Sequence, residues 1–194
     1  LEDCSDMILK FSQLGHQVSH LPLLKIESVQ HDLINFSDYN GIIFTSANAI
    51  KYLNLNNINK NISCFCVGNA TETKARSVGF QNVFVADGNV SNLKEIIFQN
   101  FNTSDGKIIY ISGELLSSDL DKQLIKEGYN LKRIINYRTI HNQNFDEKFI
   151  SELKLKIPEI VFIYSQNSAL SFLNFIKNYH SESLWMNTNL MCIG

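Results

Sequence analysis

Four short polar stretches could bind an anionic ligand, and each follows an apolar run of strand length. They consist of small, hydroxyl and amide residues, which leave backbone N–H groups accessible where the next helix begins. The positive end of a helix dipole favours carboxylate or phosphate groups at such a place. Ser, Thr and Asn are also good helix N-caps, so a purely structural role competes with ligand binding at any single turn. The stretches are Thr45-Ser46-Ala47-Asn48, Gly68-Asn69-Ala70-Thr71, Ser112-Gly113-Glu114 and Ser165-Gln166-Asn167.

Motifs for the common enzyme chemistries are absent from the sequence. It contains no G-x-x-x-x-G-K-[ST] loop, no G-x-G-x-x-G, no G-x-S-x-G and no H-E-x-x-H. Cys64 and Cys66 alternate along an apolar strand, and no second ligand pair at metal spacing completes a site, so we expect no metal. We take the histidines mostly as surface residues: His16, His20, His31, His141 and His180. A reaction here would depend on positioning and hydrogen bonding of a reactive substrate.

Composition narrows the class of protein. The 194 residues carry 17 basic and 19 acidic side chains and are 44% hydrophobic, enough for one large or two small domains. Neither sign of charge forms long runs, which argues against nucleic acid or a membrane surface as partner. Four cysteines at uneven spacing and no secretory signal make the cytoplasm the default compartment. No apolar run approaches the ~20 residues that span a bilayer.

The elements that must position the polar turns alternate between strands and helices. This alternation predicts βαβ units and a mostly parallel sheet. Gly79 and Gly128 are expected to end two of the helices. The apolar runs are GIIF (41–44), CFCVG (64–68), NVFVA (82–86), KIIYIS (107–112) and EIVFIYS (159–165).

The sequence also contains a weak internal repeat. Residues 6–16 align on 119–129, residues 44–49 on 163–168, and residues 64–68 on 190–194. The shift grows slowly along the chain, as loop insertions would make it. The last strand and Gly194 therefore correspond to 64–68 without the helix that follows, and we expect the natural protein to extend beyond both ends. Residues 16–29 and 129–142 are extended, polar segments, and Pro22 favours an exposed two-stranded connection there.

Five segments, in this order and spacing, resemble the uroporphyrinogen-III synthase family over nearly the whole chain. VGNAT and the Tyr-Arg-Thr segment are the most specific. The segments are DYNGIIFTSANAI, CFCVGNATETKARSVGF, GKIIYISGELLSSDLDKQLIKEGY, INYRTI and IVFIYSQNSALSFL.

The resemblance implies two flavodoxin-like α/β lobes, each a parallel sheet with helices on both faces, joined by a two-stranded β linker. Residues 30–129 would form the continuous lobe, and residues 1–18 with 143–194 the discontinuous one. Residues 19–29 and 130–142 would be the paired linker strands. By this resemblance, we expect the family's first strand and last helices to lie outside this sequence.

The resemblance also implies the reaction. Hydroxymethylbilane, a linear tetrapyrrole with many carboxylates, would lose water, invert ring D and close to uroporphyrinogen III without a cofactor. Tyr137 occupies the family's tyrosine position and would donate a proton to the departing hydroxyl, although a tyrosine on an exposed strand is often only a packing residue. Arg138 could pair with a carboxylate, but it points away from Tyr137 on the strand.

The substrate-binding residues follow from the turns and the resemblance together. Ser46 and Thr71 match family positions that bind carboxylates, and backbone amides of the neighbouring residues would help them. The predicted substrate-binding set is Thr45, Ser46, Ala47, Asn69, Thr71, Ser112, Gly113, Ser165 and Gln166.

Two other functions remain open from the residues. One is a two-lobed, non-catalytic protein that binds an anionic metabolite; an upstream signal peptide would support this function. The other is a sugar-phosphate isomerase-like domain with Glu114 as base, which the long-range repeat disfavours. We expect a monomer whose partner is a small molecule.

Overall fold

A computed structural model describes residues 5–87, 90–142, 144–179 and 181–192 of the chain. Cys4, His180 and Gly194, which enter the sequence predictions, lie outside these residues. The helices are α1 (Ser5–Gln13), α2 (Ala47–Lys51), α3 (Asn69–Ser77), α4 (Val90–Asn100), α5 (Leu120–Lys126), α6 (Glu147–Leu155) and α7 (Gln166–Asn178). The strands are β1 (Leu24–Ser28), β2 (Gly41–Phe44), β3 (Ser63–Val67), β4 (Val83–Ala86), β5 (Lys107–Gly113), β6 (Asn130–His141), β7 (Ile160–Ile163) and β8 (Asn189–Cys192).

The chain divides into two compact units. One consists of Leu1–Lys25 with Ile140–Gly194, and the other of Ile26–Thr139. A six-stranded sheet has the order β1-β6-β5-β2-β3-β4, and a separate two-stranded sheet consists of β7 and β8. The alternation of strands and helices predicted from the sequence is therefore present, and the protein is α/β.

The larger sheet is parallel from β4 to β6. From the middle of the sheet, β2, β3 and β4 follow one another in one direction, and β5 and β6 in the other. If these five parallel strands are numbered in chain order starting with β2, their order in the sheet is 3-2-1-4-5. The topological switch point therefore lies between β2 and β5. A flavodoxin sheet has the order 2-1-3-4-5, so the flavodoxin-like expectation fits the layers of this unit but not its strand order.

Helices cover both faces of the parallel strands because successive side chains of each strand alternate. On one face, Ile42 and Phe44 of β2 pack in a core with α2 and α3. On the other face, Ile43 packs in a core with α4 and α5. Cys64 and Cys66 are fully buried in the first core, and their sulfur atoms are 3.8 Å apart. Two helices end before glycines with positive φ, Gly79 and Gly128, as predicted.

Strand β6 differs from the expected exposed connection in its first part. Residues from Asn130 to Tyr137 pair with β5 in the parallel sheet, because the apolar side chains Leu131 and Ile134 pack in the two cores. On its other side β6 pairs with β1. The Val29 N–H donates to the Asn136 carbonyl, and the Asn142 N–H donates to that of Leu23, so this pair is antiparallel.

The smaller unit has its own core, built from α6, α7, β7 and the 3₁₀ helix Glu182–Trp185. Phe172 packs edge-on against Trp185, with ring centroids 5.0 Å apart. Strands β7 and β8 are parallel, and Ile163 pairs with Cys192. In the larger unit Phe44 pairs with Cys66. The residues that the internal alignment matches thus occupy corresponding places in two strand pairs.

Candidate functional site

The candidate site lies at the carboxyl edge of the parallel sheet in the larger unit. Parallel strands end at the same edge, so the residues that follow β2, β3 and β5 lie close to one another there. The edge includes the switch point between β2 and β5, which is where ligands bind in open α/β sheets. Most of the residues predicted from the sequence fall at this edge: Thr45, Ser46, Ala47, Asn69, Thr71, Ser112, Gly113 and Tyr137.

The turn after β2 is joined to β5 across the switch point. The Thr45 hydroxyl is 2.9 Å from the hydroxyl of Tyr110, a β5 residue that is 2% exposed. Burial raises the pKa of Tyr110, and the hydrogen bond with Thr45 acts in the opposite direction. Thr45 is half-buried and has a protein partner already. Its side chain therefore fixes the position of the turn in this structure.

Ser46 is the N-cap of α2. Its Oγ accepts a hydrogen bond from the Asn48 N–H at 3.2 Å, as expected of a serine with extended backbone at this place. Ala47 is the first residue of the helix and is half-buried. Ser46 thus has the capping role that its residue type also suggested. The Ser46 hydroxyl can still donate a hydrogen bond to a ligand.

The turn after β3 differs because its N-cap residue has no side chain. Gly68 has φ of 75°, a conformation that suits glycine, and precedes α3. Its carbonyl accepts from the N–H groups of Thr71 and Glu72. Asn69 and Ala70, in the first turn of the helix, are exposed, whereas Thr71 is only 4% exposed. Two exposed residues therefore begin α3 at the positive end of the helix, without a side-chain cap.

The end of β5 is held by a residue that the sequence analysis did not single out, Arg133 of β6. Its Nε donates to the Ser112 hydroxyl at 2.8 Å, and its Nη2 donates to the carbonyls of Gly113 and Glu114 at 2.8 and 2.9 Å. Its Nη1 is 4.0 Å from a carboxylate oxygen of Asp121 on α5. Ser112 is 1% exposed and donates to the Gly113 carbonyl, so its hydroxyl is occupied by protein partners.

Tyr137 contacts Gly113 because β6 contains one extra residue at this point. Ser112 pairs with Ile135 and Gly113 pairs with Tyr137, so Asn136 has no opposite residue in β5. The Asn136 side chain is fully buried, and its Nδ2 donates to the carbonyl of Ala49 in α2 at 2.7 Å. Tyr137 itself is half-buried. A Cβ added to Gly113 would lie 2.8 to 3.0 Å from Tyr137 ring and hydroxyl atoms.

Arg138, the next residue of β6, is exposed and forms an ion pair with Glu27 of β1. Its Nη2 is 3.2 Å from a Glu27 carboxylate oxygen, and half of the Arg138 side chain is accessible.

Ser165 and Gln166 belong to the smaller unit, where they follow β7. Ser165 is the N-cap of α7, and its Oγ accepts from the Ser168 N–H at 3.1 Å. Its backbone conformation is close to that of Ser46, with φ and ψ of −163° and 160° against −155° and 143°. Ser165 and Gln166 are both exposed. The two serines that the internal alignment matches therefore cap the helix after the corresponding strand in each unit.

Three further observations concern metal binding, the histidines and membrane-spanning helices in the described part of the chain. Within residues 5–87, 90–142, 144–179 and 181–192, no three His, Cys, Asp or Glu side chains are grouped to hold a metal ion. His16, His20, His31 and His141 are exposed, as predicted. Over the same ranges, no helix is both long and apolar enough to cross a membrane.

Together, the parallel sheet and the polar turns at its carboxyl edge define an α/β protein of the class that binds ligands at a topological switch point. Comparison with protein families then gives a specific assignment. The model of the family described as uroporphyrinogen-III synthase HemD matches residues 5–194. The chain belongs to this family.

Solved structures show the same fold at low sequence identity. The crystal structure of uroporphyrinogen-III synthetase from Helicobacter pylori 26695 is 18% identical, with a TM-score of 0.61, and the match covers 91% of this chain and 88% of that one. A mutant uroporphyrinogen III synthase from the extremely thermophilic bacterium Thermus thermophilus is 13% identical, with a TM-score of 0.53, covering 99% and 81%. No significant match is found among curated proteins.

Proposed function

We propose that this protein is a uroporphyrinogen-III synthase, a lyase that converts hydroxymethylbilane to uroporphyrinogen III with loss of water, inversion of ring D and closure of the macrocycle. The family match over residues 5–194 is the observation that carries the proposal. The substrate is a linear tetrapyrrole, and the reaction needs no cofactor. The proposed setting is the cytoplasm, with the protein acting as a monomer in heme biosynthesis.

The carboxylates of such a substrate need hydrogen-bond donors, and these donors need not be cationic side chains. The backbone amides of the exposed residues Asn69 and Ala70 are proposed as two such donors at the start of α3, where the helix dipole favours negative charge. The Ser46 hydroxyl supplies another, since its oxygen accepts from the Asn48 N–H while its proton is still available. Thr45 and Ser112 are hydrogen-bonded to Tyr110 and Arg133 and hold the turns in place, and Thr71 is only 4% exposed.

Tyr137 is the proposed general acid. The pyrrole nitrogen of the substrate expels the hydroxyl group by itself once that group is protonated, so one weak acid is enough. The half-buried Tyr137 phenol lies at the carboxyl edge of the sheet, beside the backbone of Gly113. Because the leaving group departs readily, we expect the loss of the phenol to slow the reaction without abolishing it.

In the smaller unit, Ser165 and Gln166 are proposed as a second carboxylate-binding turn. Support comes from the exposure of both residues and from the N-cap geometry that Ser165 shares with Ser46. The matching strand pairs Phe44–Cys66 and Ile163–Cys192 support the proposed pseudo-repeat. The sequence predicts domains 30–129 and 1–18 with 143–194, linked by 19–29 and 130–142; because Asn130–Tyr137 pair with β5, the proposed linker is reduced to 19–29 and 138–142. The division at Ile26–Thr139 agrees with this scheme in outline.

A coupled assay tests the proposal. Hydroxymethylbilane is generated in situ from porphobilinogen by its deaminase, this protein is added, and the products are oxidised and separated as uroporphyrin isomers. A synthase gives mostly isomer III, whereas spontaneous closure gives isomer I. If a folded sample yields isomer I alone but binds the bilane, the non-catalytic binding function takes the place of this proposal.

A further inference from the structure

Gly113 is contacted from two sides by residues with different chemistry. On one side, the Arg133 guanidinium donates to the carbonyls of Gly113 and Glu114. On the other, the Tyr137 ring occupies the space that a side chain at Gly113 would need, with Cζ 2.8 Å and Oη 3.0 Å from the ideal Cβ position. The two contacts meet at one short backbone segment.

The backbone couples this segment to Tyr137 as well. The Glu114 N–H donates to the Tyr137 carbonyl at 3.0 Å. Because Asn136 is the extra residue of the bulge, Tyr137 is paired with Gly113 instead of lying one position further along β5. Any shift of Gly113 therefore moves the surface on which the phenol rests.

Arg133 suits the role of a clamp. Its side chain is 24% exposed and has three hydrogen-bonded acceptors, while Asp121 at 4.0 Å offsets its charge. The planar fork of a guanidinium reaches several acceptors at once, which the single ammonium of lysine does not reproduce. Ser112, buried and bonded to the Arg133 Nε, is part of the same clamp.

We propose that Gly113 and Arg133 are positioning residues for Tyr137: Gly113 leaves the space that the phenol occupies, and Arg133 holds the backbone that defines this space. This inference rests on the proposed function, in which Tyr137 is the proton donor. Neither residue touches the reacting atoms in this account, and both act through the placement of the phenol.

Gly113→Ala is a selective way to displace the phenol. The backbone of Gly113 is not in the left-handed region, so an alanine is compatible with its φ. The new methyl group would meet the end of the Tyr137 side chain, which is able to rotate away. We therefore expect a folded variant in which Tyr137 is displaced.

The activity test is a double-mutant cycle of Gly113→Ala with Tyr137→Phe. We expect each single change to lower kcat on the order of 100-fold, through misplacement in one case and loss of the acid in the other. The double variant should stay within roughly threefold of Tyr137→Phe, because both changes remove the same contribution. Independent losses that multiply would overturn the proposal. Arg133→Lys should lower kcat in the tyrosine background and have little effect in the phenylalanine background.

Gly41→Ala is the matched control. Gly41 begins β2 at the opposite edge of the same sheet, and a Cβ there would meet buried Phe101 and Ile108 atoms at 3.2 to 3.3 Å. This variant should lose stability without changing kcat per folded molecule. An equal loss of kcat in Gly41→Ala and Gly113→Ala would mean that general destabilisation is the cause and would overturn the proposal.

A readout that does not need activity separates this inference from the proposed function. Tyrosine labelled with ¹³C at Cζ gives NMR signals, and the Tyr137 signal is the one lost in Tyr137→Phe. Gly113→Ala and Arg133→Lys should shift this signal, and Gly41→Ala should not. If the wild-type protein made only isomer I, the proposed function would fail, while the NMR comparison would still decide the placement. An unchanged Tyr137 signal in Gly113→Ala would overturn the proposal that Gly113 positions Tyr137.

Discussion

The hydroxyl groups of Thr45 and Tyr110 are 2.9 Å apart, and their hydrogen bond joins the turn after β2 to β5. The bond lies at the switch point, where β2 and β5 are neighbours although the chain forms β3 and β4 between them. Tyr110 is 2% exposed, so this polar contact is formed in the core and fixes the turn that carries Ser46.

Tyr110→Phe should lower the free energy of unfolding by about 1 kcal/mol, because it removes a buried hydrogen bond. Burial raises the pKa of Tyr110 above its ordinary value of 10.0, so the folded state keeps a proton that the unfolded state loses above that pH. The stabilisation is therefore present below pH 10 and decreases above it. Urea unfolding at pH 7 and pH 10.5 should show the difference between wild type and variant becoming smaller at high pH. A constant difference would contradict this account.

Asn136→Ala should lower the free energy of unfolding by about 1 to 3 kcal/mol, since it leaves the buried carbonyl of Ala49 without its donor. Asn100→Ala is the matched control. Asn100 also donates from Nδ2 to a backbone carbonyl, that of Ile96, but it is exposed. We expect the control to change stability by no more than about 0.5 kcal/mol in urea unfolding. Equal losses in the two variants would mean that the burial of Asn136 does not matter.

The parallel strands could be predicted from the sequence because strands buried on both faces are continuous apolar runs. GIIF and KIIYIS match β2 and β5 closely. The turn after β2 could be predicted for the same reason, since α2 begins directly after its N-cap Ser46. The turn after β5 differs from the prediction, because Ser112 and Gly113 lie within the strand and α5 begins only at Leu120. Ser46 and Ser165 as N-caps agree with the capping role considered from residue type.

The contacts that place Tyr137 could not be predicted in this way. Asn136 in a strand pattern suggests an exposed position, and only the tertiary structure supplies its partner Ala49, 87 positions away. Arg133 likewise has acceptors about 20 positions earlier in the chain. Periodicity records which face of a strand is apolar, but it carries no information on a bulge that changes the register by one residue.

Lys60→Met should change the pH dependence of stability. The Lys60 Nζ is 4.6 Å from the Phe80 ring centroid and, among the described residues, is buried without a hydrogen-bond partner. Burial lowers the pKa of Lys60 from its ordinary value of 10.5, so below that pH the unfolded state binds more protons than the folded state. The stability of the wild type relative to Lys60→Met should therefore rise as the pH increases from 7 towards 10.5 in urea unfolding. A relative stability that falls over this range would contradict the burial of the ammonium.

Ser165 allows capping and ligand binding to be separated. Ser165→Ala should cost about 1 kcal/mol in the free energy of unfolding through loss of the N-cap of α7. Ser165→Asp should retain the cap and most of the stability. If this turn binds substrate carboxylates, the aspartate should raise KM on the order of tenfold, about 1.4 kcal/mol of binding, through repulsion of like charges. An unchanged KM in Ser165→Asp would restrict Ser165 to a structural role.

The most direct test of the central claim is the dependence of the product on protein concentration in the coupled assay. Enzymatic closure competes with spontaneous closure of hydroxymethylbilane, so a synthase should raise the fraction of isomer III from near zero towards completion as its concentration increases, and Tyr137→Phe should need a higher concentration for the same fraction. Isomer I as the sole product at every concentration, from a sample whose circular dichroism shows the folded α/β protein, would contradict the assignment of synthase activity.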